Sequence, residues 1–169
     1  FFARALDCDI PNSVKAMVAA AKHKGASVVE MLANCVVWKD GTHKIITDSA
    51  VRADKTILLE DGKPMIYGKN RDKGLVLDGW NIKSVTIGEN GITEKDILVH
   101  DAHCQDDTLQ LKLALMEGPD FPIALGVIRD VDAPTYDEAV YAQLEEVSNK
   151  KKYHNFEELL LTNDTWEVK

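Results

Sequence analysis

The sequence has no long apolar run, which bears on membranes and on secretion. Its longest apolar stretches fall far short of the roughly 18–20 residues that a membrane span needs. The short apolar stretch at residues 1–5 has no basic segment before it and is followed by Asp7 and Asp9. This is not the pattern of a signal peptide. We therefore expect a soluble chain that has no membrane partner.

Basic clusters and paired cysteines are also scarce. The 169 residues include 20 Lys and Arg against 28 Asp and Glu, for a formal net charge of −8, and the one basic run is residues 150–152. Binding to a phosphate backbone needs clustered positive charge, so nucleic acid is not expected as a partner. Cys8, Cys35 and Cys104 are odd in number and lack paired spacing. That excludes a disulfide framework and favours the reducing cytoplasm.

Several catalytic signatures are missing as well. The sequence has no G-x-G-x-x-G, no Walker loop, no G-x-S-x-G and no H-E-x-x-H. It therefore carries no motif of a dinucleotide fold, a P-loop enzyme, an α/β-hydrolase or a zinc protease. What remains is an ordinary globular composition, 45% hydrophobic and 28% charged, at a length that suits one domain better than two.

The first forty residues have the pattern of a β-α-β unit, which predicts an α/β fold with a parallel sheet. Residues 1–5 resemble the end of a strand, and a capped helix is predicted from residue 9 to residue 25. A β-branched strand is predicted at 27–32. Because the chain begins with Phe1 in mid-strand, we expect a portion of the protein to lie upstream. Asn34 and Cys35 follow the second strand, where functional loops of parallel sheets lie.

The rest of the chain predicts further elements. Turn signals between residues 38 and 91 predict an irregular region with small hairpins and strands at 56–59 and 74–77. A helix is expected at 107–116 and a strand within 121–131. The pair Thr135 and Glu138 predicts a capping box, and Asn155 with Glu158 predicts a second one. In the helix after Thr135, the apolar residues are expected in the core, namely Tyr136, Val140 and Leu144.

Cys35 is the first candidate for chemistry. A thiolate just beyond a strand is well placed to bind a metal cluster. A single cysteine is, however, more commonly a small buried hydrophobic residue. No C-x-x-C motif is present, so any cluster on Cys35 needs ligands from elsewhere.

The densest group of potential ligands is His100, Asp101, His103 and Cys104. Imidazole, carboxylate and thiol bind zinc or iron, which would suit a small metal hydrolase. Strand alternation would place His100 on the face opposite Asp101 and His103, so the alternative is a hydrogen-bonded loop before a helix.

Two further candidates involve positive charge. Lys69, Arg71 and Lys73 lie between glycines and could bind a phosphate, or they could belong to a solvated loop. His23 lies in the last turn of the first helix, where it could interact with the helix dipole or cap a carbonyl.

Five stretches, taken together and in order, resemble the beta subunit of 2-oxoacid:ferredoxin oxidoreductases, most closely the 2-oxoglutarate type. They are residues 23–30, 34–35, 62–74, 97–101 and 121–129. The resemblance extends from about residue 3 to residue 147, and residues 164–168 also resemble that family's ending. It implies the C-terminal part of a thiamine-diphosphate-binding fold followed by an irregular extension. The implied divisions are the end of the cofactor-binding domain at 1–38, the C-terminal region at 39–149 and an arm at 150–169.

The resemblance also implies a chemistry. In that family, the beta subunit binds thiamine diphosphate and Mg²⁺ through a G-D-G motif, and it holds a 4Fe-4S cluster on four cysteines. The motif and three of the cysteines would lie upstream, while the fourth cysteine matches Cys35. Val36 and Val37 stand where that family usually has Pro or Thr, so the packing around the thiol departs from the family pattern. Asp61–Gly62 lacks the preceding Gly of the cofactor motif.

The implied reaction is oxidative decarboxylation of a 2-oxo acid with coenzyme A, and its electrons pass to ferredoxin. The implied partners are the alpha subunit, the upstream part of the beta subunit and ferredoxin. The chain alone is not expected to be active. The alternative is a non-catalytic module for subunit interaction that has lost its cofactor sites.

Overall fold

A β-α-β unit begins the chain in the computed structural model, which describes residues 1–162 and residues 164, 166 and 168. Strand β1 (Phe2–Leu6) leads into helix α1 (Ile10–Lys22), and strand β2 (Val28–Leu32) lies parallel to β1. Asp9 caps α1 by accepting a hydrogen bond from the backbone N–H of Asn12, which satisfies one of the free donors at the helix start. The predicted β-α-β unit is confirmed.

The main sheet is mixed, although the sequence predicts a parallel one. Its strand order is β2-β1-β7-β3, where β3 is Thr56–Leu59 and β7 is Ile123–Arg129. β7 lies antiparallel to β1 and parallel to β3. The α/β class is confirmed. The β1–β7 pair is antiparallel because β7 enters the sheet from the end opposite to the one at which β1 enters it.

Short elements make up much of the chain between β2 and β7, part of which the sequence predicts to be irregular. This segment forms a second, antiparallel sheet in the order β4-β5-β6. The elements are α2 (Lys44–Thr47), α3 (Arg52–Lys55), β4 (Ile66–Tyr67), β5 (Lys73–Asp78), β6 (Asn81–Thr86), a 3₁₀ turn at Glu94–Asp96 and α4 (Thr108–Ala114). The strands expected at 56–59 and 74–77 and the helix expected within 107–116 are therefore confirmed.

Helices α1 and α4 lie on opposite faces of the main sheet. On one face, Ala3 and Ala5 pack against Ala16 of α1, and side chains this small let the helix approach the strand closely. On the other face, the guanidinium of Arg4 donates to the carbonyl oxygen of Ala114 in α4 at 2.9 Å. Successive side chains of a strand point to opposite faces, so β1 contributes to both layers.

The largest core lies on the α4 side of the sheet. It joins β3, β7, the second sheet and α4 through fully buried side chains, among them Ile57, Leu75, Leu113 and Ile128. Burying a side chain of this size contributes roughly 1.5–3 kcal/mol. The segment between β2 and β7 is therefore fixed onto the main sheet by apolar packing.

The chain divides into two compact units, residues 1–133 and residues 134–169. The second unit contains α5 (Tyr136–Lys150) and α6 (Phe156–Leu160). The capping box of Thr135 and Glu138 is confirmed. Asn155 also caps its helix. The Glu158 carboxylate accepts from the backbone N–H of His154 and from the side-chain amide of Asn155, so the second predicted box is formed without the backbone N–H of Asn155. The predicted domain ends at residues 38 and 149 stay predictions.

The expected burial of α5 is wrong. Tyr136 is 86% exposed, Leu144 is also exposed, and Val140 is only half-buried. The spacing that predicts a core face is present, but the described residues of the second unit do not bury it. Residues 163, 165, 167 and 169 lie outside the described residues, and two of them, 165 and 167, belong to the resembling segment 164–168. In the part of the chain that the structure describes, no helix combines the length and the apolar character needed to cross a membrane.

Gly126 lies in β7 close to the backbone of the neighbouring strand β3. Its φ is +93°, and a Cβ at this position would lie 2.6 Å from the carbonyl oxygen of Leu59 in β3. Gly88 has the matching φ of +92°, but a Cβ there would meet nothing within 4 Å. The two glycines therefore separate the cost of backbone conformation from the cost of a steric clash.

We expect Gly88→Ala to lower the free energy of unfolding by about 1 kcal/mol, the cost of a left-handed backbone for an L-residue. Gly126→Ala should lower it by roughly 3 kcal/mol, because β3 must also move away from β7. Urea unfolding followed by circular dichroism measures both. Equal losses in the two variants would contradict the close approach at Gly126.

Candidate functional site

Cys35 lies at the edge of the main sheet where β1 and β2 both end. The two strands are parallel, and Leu6 at the end of β1 pairs with Leu32 at the end of β2. The loops that follow are joined, because the backbone N–H of Asn34 donates to the Asp7 carboxylate at 3.0 Å. This is the strand edge at which the β-α-β pattern predicts a functional loop.

The side chain of Asn34 closes the Cys35 loop. Its amide nitrogen donates to Asp40 at 2.8 Å, and its amide oxygen accepts from the N–H of Gly41 at 2.8 Å. Within the loop, the N–H of Lys39 donates to the carbonyl oxygen of Cys35 at 3.0 Å. Cys35 therefore begins a tight turn that is tied at both ends.

This turn directs backbone N–H groups at the thiol. Hydrogen bonds from the backbone of Trp38 and Val37 lower the pKa of Cys35 below its ordinary value, with a smaller contribution from Lys39. The half-buried thiol is thus biased towards the thiolate, which is the form that binds metals and acts as a nucleophile.

Apolar side chains next to Cys35 face solvent. Trp38 is 90% exposed, and Val36 and Val37 are exposed too. Three adjacent exposed hydrophobic residues form a patch of the kind that other polypeptides cover. The site therefore combines an activated thiol with a surface suited to contact.

The structure does not bring the other cysteines into a metal site with Cys35. All three cysteines are free. The Sγ of Cys8 lies 3.5 Å from the Arg52 guanidinium, while the carbonyl oxygen of Cys104 accepts from Arg129 at 3.0 Å. Among the described residues, no cysteine belongs to a group of three possible metal ligands. A cluster on Cys35 would take its remaining ligands from outside this chain.

The hydrolase hypothesis for His100, Asp101 and His103 is wrong, because these side chains have separate partners. His100 is 1% exposed, and its Nε2 lies 2.8 Å from the carbonyl oxygen of Val127. The Asp101 carboxylate accepts from the N–H of His103. The His103 ring bonds to the carbonyl oxygen of Asp130, which raises the pKa of His103. The alternative of a hydrogen-bonded loop is confirmed.

The alternative of a phosphate site at Lys69, Arg71 and Lys73 is not supported by the structure. Asp54 lies 3.1 Å from Lys73 and accepts from the backbone N–H of Lys69. The Lys73 ammonium lowers the pKa of Asp54, and the carboxylate in turn raises the pKa of Lys73. Arg71 is exposed and faces a separate cavity of about 490 Å³. Lys73 is thus neutralised within the protein, which favours the solvated loop.

His23 has a role that the sequence pattern did not predict. Its backbone N–H donates to Ala19 at the end of α1, but its ring is buried and lies 2.7 Å from the Asp130 carboxylate. The two residues are 107 positions apart. No local spacing could have indicated the pair, because it depends on the antiparallel return of β7.

Comparison with known proteins finds one clear relative. The chain is 29% identical over 171 residues to the 2-oxoglutarate oxidoreductase subunit KorB of Mycobacterium tuberculosis. The aligned region covers 99% of this chain but 45% of the relative, so the chain spans less than half of that protein's length. No protein-family model matches, and no solved structure does.

This relationship confirms the resemblance inferred from the five ordered stretches. It also agrees with a fold in which a β-α-β unit begins a mixed sheet. The chain is related, along almost its whole length, to part of the beta subunit of a 2-oxoglutarate oxidoreductase.

Proposed function

We propose that this chain is the C-terminal part of the beta subunit of a 2-oxoglutarate:ferredoxin oxidoreductase, and that Cys35 binds one iron of its 4Fe-4S cluster. The observation that carries the proposal is the place of Cys35 in a tied turn just beyond β2, in a chain that aligns over 99% of its length with a 2-oxoglutarate oxidoreductase subunit. The enzyme would carry out the coenzyme A-dependent oxidative decarboxylation of a 2-oxo acid. The relative's name supports 2-oxoglutarate as that acid.

The residues around Cys35 fit a cluster ligand. The thiolate supplies the ligand atom, and the backbone of Trp38 and Val37 lowers the pKa of the Cys35 thiol. Hydrogen bonds to a ligating sulfur and the degree of solvent exposure set the potential of an iron–sulfur cluster. The cluster, when bound, would take up the electrons left by decarboxylation singly and pass them to ferredoxin.

Thiamine diphosphate and Mg²⁺ are assigned to the rest of the subunit. Asp61–Gly62 lies at a turn, where Asp61 accepts a hydrogen bond from the N–H of Ala102. It therefore supports the local fold and does not form the cofactor motif. The residues of this chain would hold Cys35 in position and complete the subunit around it.

The face of α1 away from the sheet supports contact with the remaining part of the beta subunit. Ile10, Val14, Met17 and Val18 are exposed there, and a groove between α1 and Met31 continues this face to β2. In the described sheet, β2 has β1 as its one neighbour. Parallel strands are commonly covered on both faces. We therefore assign this surface to the rest of the same subunit.

The exposed stripe of α5 is assigned to the alpha subunit. Tyr136, Leu144 and Val147 lie along one helix and are open to solvent.

Ferredoxin completes the set of proposed partners, and the cytoplasm is the proposed location. The free cysteines agree with a reducing compartment.

A lowered pKa predicts how the thiol reacts. A larger fraction of Cys35 is thiolate at a given pH, so its alkylation by iodoacetamide should reach half of its maximal rate at a lower pH than alkylation of a reference thiol such as glutathione. Mass spectrometry of the Cys35 peptide across a pH series gives this midpoint. A midpoint at or above that of glutathione would show that the turn does not stabilise the thiolate.

Replacing the ligand tests the assignment in the assembled enzyme, which contains the complete beta subunit and its alpha partner. We expect Cys35→Ser to reduce bound iron and to lower the rate of ferredoxin reduction at least about tenfold, because serine is a poor ligand for this cluster. Cys104→Ser is the matched control, since its side chain lies apart from Cys35 beside Trp80 and Leu109. It should leave both measurements unchanged.

Full iron content and full ferredoxin reduction in Cys35→Ser would overturn the cluster assignment. A wild-type assembly without iron, and without 2-oxoglutarate-dependent electron transfer, would support the alternative of a non-catalytic interaction module.

A further inference from the structure

A second group of ligand-type side chains lies on the α1 side of the sheet, around His23. The imidazole is 1% exposed, and its ring packs against Phe1 with their centroids 5.5 Å apart. The backbone of His23 is held at the end of α1 by its bond to Ala19. The direction of its Nδ1 atom is therefore fixed by packing.

The loop after β7 brings two carboxylates to that nitrogen. Asp130 Oδ1 lies 2.7 Å from His23 Nδ1, and Asp132 Oδ1 lies 4.0 Å from the same atom. Backbone bonds hold the loop on both sides, from the N–H of Asp130 to Ala102 at 2.7 Å and from the N–H of Ala133 to Lys24 at 2.9 Å. These bonds therefore restrain the backbone that carries the two acidic side chains.

An ion pair between His23 and Asp130 accounts for one of these contacts but not for the second carboxylate, that of Asp132. Two carboxylates face one imidazole nitrogen, and one of them, that of Asp132, lies beyond hydrogen-bond distance from it. Lys22 and His103 line the adjoining cavity of about 510 Å³, and His103 is directed to the backbone oxygen of Asp130. A divalent cation would bind both carboxylates and the imidazole nitrogen together.

The distances between the three ligand atoms suit a small divalent cation of hard or borderline character. The three ligand atoms all lie within 4.8 Å of one another. Neighbouring ligands of a six-coordinate ion with bonds of about 2.1 Å stand roughly 3 Å apart, so a modest inward movement of Asp132 would complete the set. Its side chain is 78% exposed, which leaves it free to move. The cavity has room for waters in the remaining positions.

We propose that His23 Nδ1 and the carboxylates of Asp130 and Asp132 bind a divalent cation, with Mn²⁺ as the favoured type. One imidazole and two carboxylates, without a thiolate, form the kind of ligand set that accepts Mn²⁺. The ion replaces the proton between His23 and Asp130 and links the end of α1 to the loop after β7. Its role is structural, and it is separate from the thiol site at Cys35.

Mn²⁺ is also the suitable probe, because zinc would bind the three free thiols. The metal-free chain is titrated with Mn²⁺, and the loss of the free-ion electron paramagnetic resonance signal reports binding. We expect one equivalent to bind to the wild type and to raise its melting temperature, since a ligand that binds the folded state stabilises it. Asp132→Asn should weaken binding at least about tenfold while keeping the fold, because the His23–Asp130 pair remains.

Asp120→Asn is the matched control, as it removes the same charge from another exposed loop of the same unit. It should leave Mn²⁺ affinity unchanged, whereas His23→Gln should abolish stoichiometric binding. The proposal is overturned if the wild type binds no stoichiometric Mn²⁺ below about 1 mM, or if Asp132→Asn and Asp120→Asn bind it equally well. The group would then be an ion pair alone.

Discussion

The parallel pairing of β1 with β2 is the constraint on which both candidate sites depend. It sets the two strand ends side by side, so that Asp7 after β1 can accept from Asn34 after β2. That contact starts the turn in which Cys35 lies. The same pairing requires α1 to cross the sheet, and the crossing places His23 over the face where β7 returns. A thiol at one edge and an imidazole near the other thus follow from one supersecondary unit.

Local sequence patterns predicted much of the fold. Asp9 and Thr135 are confirmed as helix caps, because capping depends on residues within one turn. The strand at Thr56–Leu59 and the hairpin strands were also predictable from β-branched residues and turn signals. The position of Cys35 beyond a strand followed from the β-α-β pattern. Each of these features is determined over a short stretch of chain.

What could not be predicted depends on long-range geometry. The antiparallel return of β7 brings Asp130 to His23 from 107 residues away, and no periodicity encodes that meeting. The stripe of α5 shows the opposite difficulty, because apolar spacing indicates a buried face without showing which molecule buries it. Tyr136 was therefore placed in a core that its own unit does not supply. The partner of His100 was hidden in the same way, because its buried bond to Val127 joins segments 27 residues apart.

The ends of the first unit have a further consequence. Phe2 pairs with Arg129, and the amino group of Phe1 donates to Ala26 while Ala133 bonds to Lys24. Phe1 and Ala133 therefore lie near the end of the sheet where β1 begins and β7 ends, and Cys35 lies at the opposite end, beyond Leu32. Units with neighbouring ends tolerate insertion into a longer polypeptide and circular permutation. The end of the sheet that carries the thiol is therefore the end opposite to the residues at which this unit starts and finishes.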